Sequence, residues 1–180
     1  GGLGASRGVG AERRVVCADS RWLKSVPGRS WRVEWEALGL LALMRLHLAR
    51  VDARFAPDGS MILLPDQDRS RWNHAAIAEA ATLVERALRG VRPGPYVLQA
   101  AIVAVHAGAG SYGTTDWAEI VALYDRLLQI QPTPAVALNR ALALAELQGP
   151  APALAEIAPL APRLDSYHPF TPARAELLPP

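Results

Sequence analysis

The residues best placed to do chemistry lie together in the stretch LLPDQDRSRWN, residues 63–73. Asp66, Gln67, Asp68, Arg69 and Arg71 surround Trp72, in a chain otherwise rich in Ala, Leu and Val. Such a stretch can be a loop, a metal site, a nucleic-acid contact or a docking patch. Asp66 and Asp68 form a D-x-D pair, but no third carboxylate is close in sequence and no Gly stands at an EF-hand position, so metal binding is disfavoured. Acid–base catalysis by the pair is disfavoured too, because nothing nearby marks a pocket. The purely local reading is a capped loop. One Asp caps a helix beginning near Trp72, Arg69 or Arg71 pairs with the other Asp, and Trp72 packs under the helix start. That accounts for the Asp and Trp residues better than for the clustering of two Arg and a Gln. Arg and Trp are enriched at binding hot spots. The candidate protein-interaction residues are therefore Asp66, Gln67, Asp68, Arg69, Arg71 and Trp72.

Elsewhere the chain offers little reactive chemistry. It has no phosphate loop, nucleophile elbow, zinc spacing or dinucleotide fingerprint. Neither an enzyme nor a bound cofactor or metal is expected. His47 and His106 fall on apolar helices and read as packed side chains. His74 follows the polar stretch and His168 belongs to a turn. The single cysteine, Cys17, excludes an internal disulfide and any multi-cysteine zinc site.

Charge narrows the partners further. Basic groups are 18 Arg and one Lys, a bias of the coding sequence that weakens any argument from Arg number to phosphate binding. Residues 1–32 carry seven basic and two acidic groups, whereas residues 33–180 carry 12 basic and 15 acidic ones. The larger part is mildly acidic and makes a poor nucleic-acid surface, so no direct DNA contact is expected from residues 33–180. The basic head, 1–32, shows Gly, Ser and Pro without a clean period and reads as a poorly defined terminal segment. No apolar run of membrane-spanning length is free of charge, and no secretory signal is visible. A cytoplasmic protein is expected. The opening GGLG, without Met, reads as a fragment or processed chain.

These residues must be positioned by helices, because an apolar fraction of 51% made mainly of Ala and Leu favours helix over sheet. Helical periodicity runs from Val33 to Arg54, through Leu38, Leu41, Ala42, Leu46 and Ala49. PDG (57–59) marks a turn within a small hairpin or irregular corner near 55–72. Further helices are expected over 73–89, 95–107, 117–130 and 134–148, then shorter ones over 151–161 and 172–178. A short helix over Val15–Lys24 is possible. Asn73, Asp116 or Thr115, and Pro95 stand at helix starts, and Gly90 and Gly149 at ends.

An internal repeat sets the architecture. VRPGPYVLQAAIVAVHA (91–107) lies over IQPTPAVALNRALALAE (130–146) at a constant offset of 39, and a helix precedes each. Each unit is helix, Pro-turn, helix. Such hairpins cannot cover their own apolar faces, so they stack. The expected fold is all-α: stacked helical hairpins over 73–180, entered by a helix and polar corner over 33–72. Trp117, Tyr124, Pro132 and ALNRALAL (137–144) make the second unit resemble a tetratricopeptide repeat. The 108–115 loop stretches the first unit beyond that repeat's period.

EALGLLALMRLHLAR (36–50), LLPDQDRSRWN (63–73), GPYVLQAAIVAVHA (94–107), DWAEIVALYDRLL (116–128) and PAVALNRALALAELQGP (134–150) follow in order. Together they resemble the C-terminal tetratricopeptide-like extension of bacterial extracytoplasmic-function RNA polymerase sigma factors, over residues 34–178. The resemblance implies a regulatory, protein-interaction domain in transcription initiation. It also implies that the D-Q-D-R-S-x-W segment is a signature of the extension, and that the partners are the sigma core or RNA polymerase. The promoter-recognition regions are absent from this chain. Residues 1–32 depart from the family's pattern and are either diverged or read in a shifted frame. The alternative function is a stand-alone helical scaffold that binds a peptide or protein.

Overall fold

In the computed structural model, residues 30–90 and 92–160 are described. The helices expected over 15–24 and 172–178 lie outside them. The described residues form six α-helices: α1 (Ser30–Leu48), α2 (His74–Leu88), α3 (Pro95–Gly108), α4 (Trp117–Ile130), α5 (Pro134–Gln148) and α6 (Pro150–Ile157). A single 3-10 turn, Ala158–Leu160, follows α6. Among the described residues there is no strand, only an isolated antiparallel bridge between Phe55 and Met61. The all-α fold of stacked helical hairpins is thus the observed one.

Local chemistry sets the helix starts. Asn73 accepts the backbone N–H of Ala76 at 3.0 Å and caps α2. Asp116 accepts Glu119 N–H at 2.9 Å and caps α4. Thr133 accepts Val136 N–H at 3.3 Å ahead of α5, which opens with Pro134. Each cap satisfies a donor that the first helical turn cannot satisfy internally. Gly149, at φ 88°, ends α5 in a conformation other residues resist, and Pro150 begins α6 at once.

Helices α2–α3 and α4–α5 are the two hairpins. Their second helices begin 39 residues apart, at Pro95 and Pro134, whereas their first helices begin at His74 and Trp117. The repeat is therefore not strict. The difference arises within the hairpins, because six residues join α2 to α3 but only three join α4 to α5, and α2 is one residue longer than α4. Between α3 and α4, Ser111 and Thr114 close a capping box around a 3-10 turn over Tyr112–Thr114.

The main core joins α1, α2, α3 and α4, and reaches Leu144 of α5. Leu46, Leu98, Ile120 and Leu127 are its largest fully buried side chains. Each contributes about 1.5–3 kcal/mol through removal from water. A second cluster, Leu138, Ala141, Ala153 and Ile157, attaches α6 to α5. Many core residues are Ala, which lets the helices approach closely. At Gly39 of α1 a Cβ would stand 2.6 Å from the backbone nitrogen of Val97. Beside this crossing, Glu36 of α1 accepts Tyr96 N–H at 3.0 Å and Val97 N–H at 3.4 Å. Gly94, the α3 N-cap, has no side chain to cap with, so a carboxylate from another helix does so.

One polar residue fastens the repeats. Arg140 of α5 donates to Asp125 of α4 at 2.6 Å and to Glu156 of α6 at 2.5 Å. Its side chain is largely covered, and both carboxylates raise its pKa.

Candidate functional site

α1 ends earlier than periodicity suggests, at Leu48, and a 3-10 turn over Val51–Ala53 follows. The chain then makes the expected corner. Ala56 N–H donates to Ser60 O at 2.9 Å and Ile62 N–H to Arg54 O at 2.8 Å. Gly59, at φ 83°, occupies the PDG turn. Two more 3-10 turns, Leu64–Asp66 and Arg69–Arg71, carry the polar stretch to α2. Asn73 N–H donates to Ala49 O at 2.8 Å and ties the end of the corner back to the end of α1.

The six candidate residues divide into two groups. Gln67, Arg69 and Trp72 turn inward. Gln67 Nε2 donates to Ile62 O at 3.0 Å. Trp72 is only 3% exposed and belongs to the main core. Arg69 Nη1 donates to His106 O at 2.7 Å and to Ala109 O at 2.8 Å, two carbonyls at the C-terminal end of α3. A cation there also meets the negative end of the helix dipole. The same guanidinium stands 4.5 Å from the centroid of Trp72, and that of Arg50 stands 5.6 Å from it. Arg69 is thus a latch from the polar stretch to α3, with Trp72 beneath it.

Asp66, Asp68 and Arg71 face solvent. Asp68 accepts Ser70 N–H at 3.0 Å and Ser70 Oγ at 2.6 Å, which stabilises its ionised form and lowers its pKa. Two details of the capped-loop reading are corrected. Asp68 caps the 3-10 turn at Arg69, not α2, because Asn73 already holds the α2 cap. Neither Arg69 nor Arg71 pairs with Asp66; among the described residues the ion pairs are Arg45–Glu79 and the two of Arg140. Carbonyls of α3 take Arg69 instead, and no pattern within residues 63–73 encodes them.

Arg50 and His106 complete the cluster, and neither was a candidate from sequence. Arg50 is buried and lends a 3.3 Å hydrogen bond to His47 Nδ1. The only local signal was a charge near the end of a helix that is apolar on more than one side. His106 packs edge-on against Trp117, with ring centroids 5.2 Å apart, and Tyr112 meets Trp117 at 5.1 Å. Burial, with Arg50 and Arg69 nearby, pushes the His106 pKa down to about 4, so the imidazole is neutral. No group of three His, Cys, Asp or Glu among the described residues could hold a metal ion. No helix among them is long and apolar enough to cross a membrane.

A groove of about 510 Å³ opens beside this cluster. Leu63, Leu64 and Pro65 form one lip, directly before Asp66. Trp117 and Tyr124 of α4, with Asn139 and Glu146 of α5, form other parts of its wall. Tyr112 Oη donates to Glu146 Oε1 at 3.0 Å across it. The polar stretch and the groove are therefore one continuous surface.

Residues 2–88 match a family of unknown function (DUF6596), and the match takes in α1, the corner, α2 and the basic head. No solved structure matches the chain. The chain is also 42% identical over 176 residues to an uncharacterized protein of Rhizobium meliloti. That similarity covers 98% of this chain but only 41% of the relative, so the chain spans about two fifths of the length of the curated relative it matches.

Proposed function

We propose that this chain is a regulatory, protein-interaction domain of an extracytoplasmic-function sigma factor, acting in bacterial transcription initiation in the cytoplasm. Its partner is the sigma core or RNA polymerase. The order of the five motifs supports the assignment, and the tetratricopeptide-like second unit agrees with it. One observation carries the choice of surface: the polar stretch continues directly from the lip of the groove. Gln67, Arg69 and Trp72 hold that lip rigidly, and Asp66, Asp68 and Arg71 are left exposed beside it. Rigid positioning lowers the ordering cost of binding. A relative more than twice as long as the matched part suits a domain that works within a larger chain.

The test uses Asp66→Ala and Arg71→Ala in the full-length sigma factor, because both residues are exposed and neither makes an ion pair among the described residues. Promoter-directed transcription with purified RNA polymerase should fall by roughly tenfold, the equivalent of about 1.4 kcal/mol, while the urea midpoint stays unchanged. Normal transcription from both variants would refute this surface.

A stand-alone peptide-binding scaffold is the second reading, favoured by the size of the groove. Calorimetry separates the two: the scaffold reading requires peptide binding by the chain, blocked by Leu63→Asp, with no affinity for sigma core or polymerase.

A further inference from the structure

Helix α1 is apolar on two sides, and only one of them is used. Gly39, Ala42, Leu46 and Ala49 face the core. On the opposite side Val33, Leu40, Met44 and Leu48 are 40%, 38%, 54% and 65% exposed, and Val51 continues the line. With half-buried Ala37 they follow steps of three and four residues, which is one face of a helix. An apolar trough of about 480 Å³ runs beside this stripe, where Val33, Ala37 and Leu40 meet Pro95 and Tyr96 of α3. A contiguous exposed apolar stripe of this kind marks an interaction surface.

We infer that the occupant is a second copy of this chain, joined by antiparallel pairing of α1 with α1 about a twofold axis near Leu40. Two complementarities select it. In this register Val33 meets Leu48 of the other copy, small Ala37 meets long Met44, and the two Leu40 side chains lie beside the axis. A twofold axis perpendicular to the paired helices also sets each flank against the same flank of the partner helix. Glu34 and Arg45 lie on one flank, 11 residues or about three turns apart. Antiparallel pairing therefore brings Glu34 of each copy to Arg45 of the other, twice per dimer. Parallel pairing would turn the flank that carries Glu34 and Arg45 towards the partner's other flank, with Glu36, Leu43 and His47, and would form neither pair. Arg45 is free to turn, since its contact with Glu79 is 3.7 Å long and exposed. A helix of 19 residues is about 28 Å long. Its face offers less than the ~800 Å² per partner of a standard interface, so the dimer forms in a concentration-dependent way.

Sedimentation equilibrium of the whole chain, from about 1 to about 500 µM, tests the inference. Wild type should pass from monomer to dimer across that range. Met44→Arg, at an exposed site, should leave a monomer with an unchanged urea midpoint. Glu34→Arg and Arg45→Glu should each weaken association at least tenfold, and the two together should restore it. A monomer throughout would overturn the inference, as would a dimer indifferent to Met44→Arg. It would also fail if Met44→Arg unfolded a monomeric wild type, because the stripe would then be covered from within the chain. Failure of rescue by the double charge exchange would overturn the antiparallel register. None of these readings uses Asp66 or Arg71, so the outcome is independent of the surface proposed for the sigma core.

Discussion

Replacing Arg69 by Ala removes a latch that joins three parts of the molecule. Its Nη1 donates to two carbonyls at the end of α3, at 2.7 and 2.8 Å, and its guanidinium lies 4.5 Å from the centroid of Trp72. A hydrogen bond from a charged group contributes about 1.5–3 kcal/mol net, and a cation–π contact about 0.5–2 kcal/mol. These terms belong to one side chain and do not add. Arg69 is half-buried, so water recovers part of what is lost. Arg50 also gains: burial, then Arg54, lowers its pKa, and repulsion from Arg69 adds to this. The expected net loss is about 2–3 kcal/mol. At about 2–4 °C per kcal/mol for a chain of this size, Tm should fall by about 4–12 °C. Urea unfolding followed by Trp fluorescence measures this, with an unchanged m value as the check that the unfolded state is the same. Arg69→Lys keeps the charge but loses the planar group over the indole, and should fall between wild type and Ala. A loss below about 0.5 kcal/mol for Arg69→Ala would refute the latch. Transcription lost together with stability in this variant would report folding rather than docking, which is why Asp66 and Arg71 carry the functional test.

Two further perturbations follow from the packing and from the buried imidazole. Gly39→Ala would place a Cβ 2.6 Å from Val97 N at the α1–α3 crossing; overpacking of this kind costs about 1–3 kcal/mol, although Ala is the better helix former, and an unchanged or raised urea midpoint would disprove the close approach. His106 has a folded-state pKa of about 4, below its ordinary value of 6.5, so the unfolded chain takes up a proton that the folded one refuses. Stability should therefore drop as pH falls from about 6.5 towards 4 and level off below, with His106 contributing up to about 3 kcal/mol; His47, lowered by burial and by Arg50 and Arg54, acts in the same direction. His106→Gln should flatten most of that slope in urea midpoints taken between about pH 7 and pH 4.5, and an unaltered slope would assign the effect elsewhere.

How much of the molecule the sequence determined can be judged element by element. Starts and stops were legible because they are local. Pro95 and Asp116 act on the turn that follows them, and Gly149 supplies a backbone conformation its neighbours resist; the α2 cap is the exception, since Asn73 holds it where an Asp was expected. The helical hairpins were legible because a 39-residue offset repeats the same Pro-turn and the same apolar face. The polar stretch was recognisable as a unit, but not the direction of its side chains. That Arg69 and Trp72 turn inward while Asp66 and Arg71 turn outward depends on the α3 carbonyls, 37 and 40 residues away in sequence. The same holds for Glu36, which caps a helix 60 residues further on. It holds for Gly39, whose need for a missing Cβ exists only where α3 crosses it. Periodicity records which side of a helix is apolar. It does not record which apolar side a neighbour will cover, and for α1, apolar on both, only the packing of α2 and α3 decided that Val33, Leu40, Met44 and Leu48 stay exposed. Caps and periods act within a turn or two of the chain, whereas latches, crossings and open faces are made by segments that meet only after folding.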